Sequence, residues 1–197
     1  MRSDKGEPVR GIGRSVFASV GLAAAIWLAT TGRAAAESPS TTARAGLDAA
    51  AAAARAWAQD ARLVYVENDE DAGGGGRAAR WGYLYASTSR GAARGYTVRD
   101  GKVRDASDLG FDFDAPPVSD PWIDSDAALA AASREAGDAY CLENAGRLGT
   151  MLLIRGAFDL REPDATTWAV IYTAPSAPSL FVVVDARSGK VVRTWRG

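Results

Sequence analysis

The sequence predicts an α+β fold in which one unit occurs twice, each unit a helix followed by an antiparallel sheet of three to four strands. Three observations carry this. Each half places an Ala-rich segment ahead of a β-rich one. A strand with Trp and Tyr four positions apart recurs as Trp81–Tyr85 and Trp168–Tyr172, the two Trp lying 87 residues apart. A Gly-Lys-Val turn recurs at Gly101 and Gly189, 88 residues apart. Near-constant spacing at two landmarks is the mark of a tandem repeat.

Residues 1–36 read as an address rather than as part of that fold. Arg2, Lys5, Arg10 and Arg14 precede an apolar run from Val16 to Ala29, and Ala34-Ala35-Ala36 follows it. A basic start, an apolar stretch and small residues make a secretory signal peptide, with cleavage expected before Glu37. An uncleaved anchor would want about 20 apolar residues, and this run is shorter and holds Ser19 and Gly21. There is no twin-Arg pair and no Cys near the cleavage point, so general export of a protein without a lipid anchor is expected. The location implied is periplasmic or extracellular, with no membrane contact after cleavage.

The first unit is expected over 37–105. Thr41 and Thr42 are candidate caps for a helix over Arg44–Gln59, where Leu47, Ala50, Ala54 and Trp57 share a face. Leu63–Val66 is a strand, broken by Glu67–Asp71 and by Gly73–Gly76. Trp81–Tyr85 resumes a strand with Trp81, Tyr83 and Tyr85 on one side of the pleat. Gly95–Val98 is next, and Asp100-Gly101 between apolar residues signals a tight hairpin.

Residues 106–121, with Pro116, Pro117 and Pro121, read as an extended connection. The second unit is expected over 122–197. Asp124 or Ser125 is the candidate cap for a helix carrying Leu129, Ala132 and Ala136, with Gly137 as its stop. Asp138–Gly149 has no clear period. Strands are expected at Thr150–Ile154, Trp168–Tyr172 and Leu180–Val184, then a turn and a final strand from Val191.

Composition excludes much chemistry. The chain has no His and a single Cys, which removes Ser-His-Asp and Cys-His nucleophiles, imidazole metal sites and an internal disulfide. The exported form would hold 161 residues with 18 positive and 22 negative charges, a net of −4, against the basic excess of a nucleic-acid binder. No cofactor is expected.

The run Phe181-Val-Val-Val-Asp185-Ala-Arg-Ser-Gly189-Lys-Val191, preceded by Trp168-Ala-Val-Ile-Tyr172 and an Ala-rich helix, resembles the PepSY domain. The match covers about residues 122–195, and residues 41–105 look like a diverged copy that has Arg99-Asp100-Gly101 in place of the Asp-Ala turn. The resemblance implies an exported module, of a kind found in propeptides of thermolysin-type metallopeptidases, where inhibition or chaperoning of the peptidase is inferred. A His-Glu-x-x-His zinc motif is impossible here without His, so any such action would fall on a separate chain.

Each candidate site has a plainer reading. The acidic run Glu67–Asp71 fails as a calcium loop, because counting from Asp69 the fifth position is Gly73 and the twelfth Arg80. Gly73–Gly76 lacks the Gly-Lys-Ser/Thr ending of a phosphate loop. Seven Asp (105, 108, 112, 114, 120, 124, 126) supply carboxylates for glycosidase-type chemistry or for cations, yet they sit on a connection and at a helix start. Cys141 is a candidate nucleophile or cross-link to another chain, yet no His is there to activate it, and its plainer reading is a buried Cys acting as a small apolar residue. Lys102 and Lys190 follow turn glycines and should be exposed. Trp81, Tyr85, Trp168 and Tyr172 are a candidate peptide or glycan groove, or the sheet face beneath the helices. No catalytic, cofactor or metal residue is assigned. The expected function is a non-enzymatic exported binding module, modulating or inhibiting an extracytoplasmic peptidase in trans. The alternatives are a structural envelope protein and a small carboxylate-based hydrolase.

Overall fold

In the computed structural model, residues 40–70, 73–109, 113, 115–158 and 162–197 are described. The expected signal peptide lies outside them. Eight strands form one antiparallel sheet: β1 (Arg62–Asn68), β2 (Trp81–Ser87), β3 (Ala92–Arg99), β4 (Lys102–Asp108), β5 (Arg147–Arg155), β6 (Thr166–Thr173), β7 (Leu180–Asp185) and β8 (Val191–Arg196). Their order is β4-β3-β2-β1-β5-β6-β7-β8. Two four-stranded meanders therefore run outward from a central seam, where β1 pairs antiparallel with β5 through Tyr65↔Ile154, Val66↔Leu153 and Glu67↔Leu152. The sequence offered two meanders. Joining their first strands satisfies backbone groups that would otherwise lie on two open edges.

The helical layer lies on one face. A 3-10 turn (Ala43–Gly46) leads into α1 (Leu47–Trp57). Ala50 and Ala54 are fully buried while Leu47 and Trp57 are half-buried, so the apolar face expected from the periodicity meets the sheet. Thr42 is the N-cap residue, but its side chain makes no capping bond. The cap comes from the other half: Ala43 N donates to Ser125 Oγ at 3.0 Å and Arg44 N to Asp124 Oδ1 at 3.0 Å. Asp124 also accepts from Ser125 N at 2.7 Å at the start of α2 (Ser125–Ala132), so one carboxylate serves two helix starts.

Gly137 does not stop this second helix. The chain continues through a π-helical turn (Ser133–Gly137) into α3 (Asp138–Asn144) and ends at Ala145 in the left-handed region. The Tyr172 ring, rising from β6, lies where a Cβ on Gly137 would be. Glycine is thus required by close packing, and the widened turn accompanies the intrusion. The patternless stretch 138–149 is this last helix and the start of β5.

The main core lies between helices and sheet. Trp81, Tyr83, Tyr96, Met151, Leu153, Trp168, Val170, Tyr172 and Val182 project from the sheet against Ala50, Ala54, Ala128 and Ala132. Small helix residues let the large strand aromatics fill the gap. On the opposite face, Val64, Leu84 and Ala93 form a smaller cluster with Tyr65, Leu109 and Phe113. Asp100 and Gly101 both have positive φ, 52° and 67°, as a two-residue hairpin turn requires. Strand β4 extends past residue 105 into the stretch read as a connection. Farther along that stretch Val118 N donates to Leu63 O and Ser119 N to Thr166 Oγ1, and just past it Ile123 N donates to Ala186 O. No helix among the described residues is long and apolar enough to cross a membrane.

Candidate functional site

The five of the seven Asp that are described form no cluster with three or more ligating groups. Asp105 and Asp108 stand exposed on β4, Asp108 3.5 Å from Arg94. Asp120 lies 3.7 Å from Arg44. Asp124 caps, and Asp126 accepts from Ala127 N. Asp112 and Asp114 lie outside the described residues. Among the described residues no group of three or more Cys, Asp or Glu is placed to hold a metal ion.

The acidic run is partly strand. Glu67 belongs to β1 and accepts from the Tyr65 hydroxyl at 2.7 Å. Burial raises the Glu67 carboxyl above the ordinary carboxylate range, against the lowering effect of that bond, and burial also pushes the Tyr65 hydroxyl well up. Asn68, buried, receives Met151 N at 2.6 Å and pins the central seam. Arg80 Nε lies 3.0 Å from Glu70 and 3.4 Å from Asp69. Asp69 is nevertheless raised, because burial outweighs the Arg80 charge. The glycine loop is a clasp: Gly73 N donates to Arg77 O at 2.8 Å, and Gly76 O accepts from Ser125 Oγ at 2.7 Å. Gly76 is buried against Ser125, while Gly73, Gly74 and Gly75 are exposed.

Cys141 is half-buried on α3, and desolvation followed by the Asp138 charge raises its thiol, which disfavours a thiolate. Lys102 and Lys190 are exposed. Trp81, Tyr85, Trp168 and Tyr172 are buried under the helices and form no open groove. Burial pushes the Tyr172 hydroxyl up to about 12, and Ser133 Oγ lies 3.0 Å from it.

Two surfaces remain. One is an acidic cleft of about 380 Å³ lined by Asp120, Glu162, Asp164 and Asp185, with Arg187 at its wall. Asp185 is engaged there by Ser188, whose backbone N donates to it at 2.7 Å. The other is the outer edge of β8, the last strand of the sheet. Sequence reading missed both. A signal for the second was present: residues 186–197 carry Arg187, Lys190, Arg193 and Arg196 and no acid, in a chain that is acidic once residues 1–36 are set aside.

No protein-family model matches this sequence, and no curated protein does. Among solved structures the fold is similar to that of a "putative lipoprotein" from Clostridium difficile 630, with a TM-score of 0.55 at 13% identity over 77% of this chain and 93% of that one. At this identity the likeness establishes the fold: α+β, with helices on one large antiparallel sheet.

Proposed function

We propose that the chain is an exported, non-enzymatic module that binds another protein outside the cytoplasm, an exported peptidase being the partner class that the PepSY resemblance implies. The observation that carries this reading is the PepSY-like stretch, residues 166–192, which forms β6, β7 and the start of β8 and so leads to the last strand of the sheet, unpaired on its outer side among the described residues. Proteins recognise extended segments at such edges by adding a strand.

The two meanders run outward from the seam in the same sequence of helix then strands. Trp81 and Trp168 stand on the second strand of each, and Gly101 and Gly189 in the last turn of each. These positions support a duplicated unit and, with it, a first copy diverged from the second. The leader supports export with cleavage before Glu37, and a fold shared with a protein named as a lipoprotein is in keeping with an extracytoplasmic location.

The test is direct. Residues 37–197 are titrated against exported peptidases, and assayed on ester and glycoside substrates. Inhibition or saturable binding of a peptidase supports the reading. Turnover lost on changing two carboxylates to amides would restore the hydrolase alternative.

A further inference from the structure

We infer that the outer edge of β8, residues Arg193–Arg196, is the docking strand, and that its occupant is an acidic extended segment of a partner protein. This rests on the binding-module reading above and names the chemistry of the partner. Strand β8 pairs with β7 through Val184↔Val191, Val183↔Arg193, Val182↔Thr194, Phe181↔Trp195 and Leu180↔Arg196. Val192 is skipped, a bulge that confines the regular part of the strand to 193–196. Leu180 and Val182 belong to the core under the helices, so Thr194 and Arg196 project on the helix side and Arg193 and Trp195 on the other.

The charge on this edge selects the occupant. Residues 186–197 hold four positive side chains and no negative one. Trp195 is stacked on Phe181, ring centres 4.9 Å apart, with Phe158 6.3 Å away and the Arg193 guanidinium 4.6 Å from its centre, which fixes an aromatic cluster and a cation on one face of the sheet. Arg196 lies 3.8 Å from Glu143, both half or more exposed, and its guanidinium sits 5.4 Å from the centre of the Tyr140 ring; the ion pair is worth little and is exchangeable for a partner's carboxylate. The opposite edge differs. On β4, Lys102 and Arg104 are mixed with Asp105 and Asp108, and every residue but Val103 is exposed. Charges of both signs along an edge discourage any one strand from pairing there. A strand laid antiparallel to β8 would meet Arg196, Trp195, Thr194 and Arg193 in turn, so the fitting sequence is acidic, apolar, polar, acidic.

The probe is an end-blocked peptide with Glu-Val-Thr-Glu at its centre, with Lys-Val-Thr-Lys as control, added to residues 37–197. Expected is slowed amide exchange at 193–196 with the Glu peptide, and affinity about tenfold lower for the Arg193→Glu/Arg196→Glu pair or in high salt. Glu143→Gln, which removes the ion pair on Arg196, should tighten binding. Arg193→Gln/Arg196→Gln should give a smaller loss in the same direction, without charge reversal, and an unchanged urea midpoint shows that either pair still folds. Equal binding of the Lys peptide, protection on β4 instead, or salt-sensitive self-association through β8 would overturn the inference. A peptidase bound equally by wild type and the Arg193→Glu/Arg196→Glu chain would leave the module reading standing and remove β8 from it. Substrate turnover beside intact peptide binding would do the reverse.

Discussion

Trp81 and Trp168 meet edge to face across the core, ring centres 6.3 Å apart, and each spends its indole N–H on a carbonyl just ahead of a helical segment: Trp81 on Thr41 at 2.8 Å, Trp168 on Ile123 at 2.9 Å. The pair ties both helix starts to the sheet. Trp168→Phe should cost about 1–3 kcal/mol, because the Ile123 carbonyl loses its donor inside the fold. Trp81→Phe should cost less, since Thr41 O also receives Ala78 N at 3.0 Å. Urea midpoints of the two variants measure the difference.

Ser125 joins the halves through one hydroxyl, accepting from Ala43 N and donating to Gly76 O. It is fully buried. Ser125→Ala leaves both partners unmet and should cost about 1–3 kcal/mol, a fall in Tm of about 2–4 °C per kcal/mol for a chain of this size. Thr42→Ala should be near neutral, because the Thr42 side chain makes no cap bond. Calorimetry of the two variants distinguishes a cap supplied in sequence from one supplied across the fold.

Gly137→Ala sets two effects against each other. Helix propensity favours alanine by about 1 kcal/mol. The new Cβ would fall within the Tyr172 ring, and overpacking of this kind costs about 1–3 kcal/mol or more. Net destabilisation is expected, and Tyr172→Leu in the same chain should recover part of it. Denaturant unfolding of the single and double variants checks the coupling.

Burial raises Glu67 and Asp69 in the folded chain, so the folded state binds protons there more tightly than the unfolded state. Their contribution to stability is fully present below the unfolded carboxylate range, at about pH 4, and is lost as pH rises through the raised values. Asp60 has the opposite sign. Hydrogen bonds from Ser87 and then Ser89 lower it, so its contribution is present above the ordinary range and lost as pH falls. Glu67→Gln should therefore flatten the decline in stability above about pH 4, while Asp60→Asn should weaken the fall at more acid pH. Urea midpoints across pH 3–8 read both signs.

Local chemistry made several elements legible from sequence. The alternation of Trp81, Tyr83 and Tyr85 marks β2 because side chains on a strand have a period of two. Asp100-Gly101 marks its hairpin because the turn needs positive φ at both positions, and the Ala50 and Ala54 face of α1 follows from the helical period. What lay beyond reach was decided by contacts distant in the chain. Gly137 carries the signature of a helix stop, yet it is glycine because Tyr172 from another strand occupies the space of its side chain. Thr42 is a fit cap by type, yet Ser125 and Asp124, about 80 residues away, do that work. The joining of two meanders through Val66 and Leu153 is equally invisible in either strand, because an unpaired edge shows in the sequence only as an apolar run. Composition removed imidazole chemistry and an internal disulfide from this protein at the outset. Which of its charges converge, scatter or stand on an open edge was set by the pairing order of the strands.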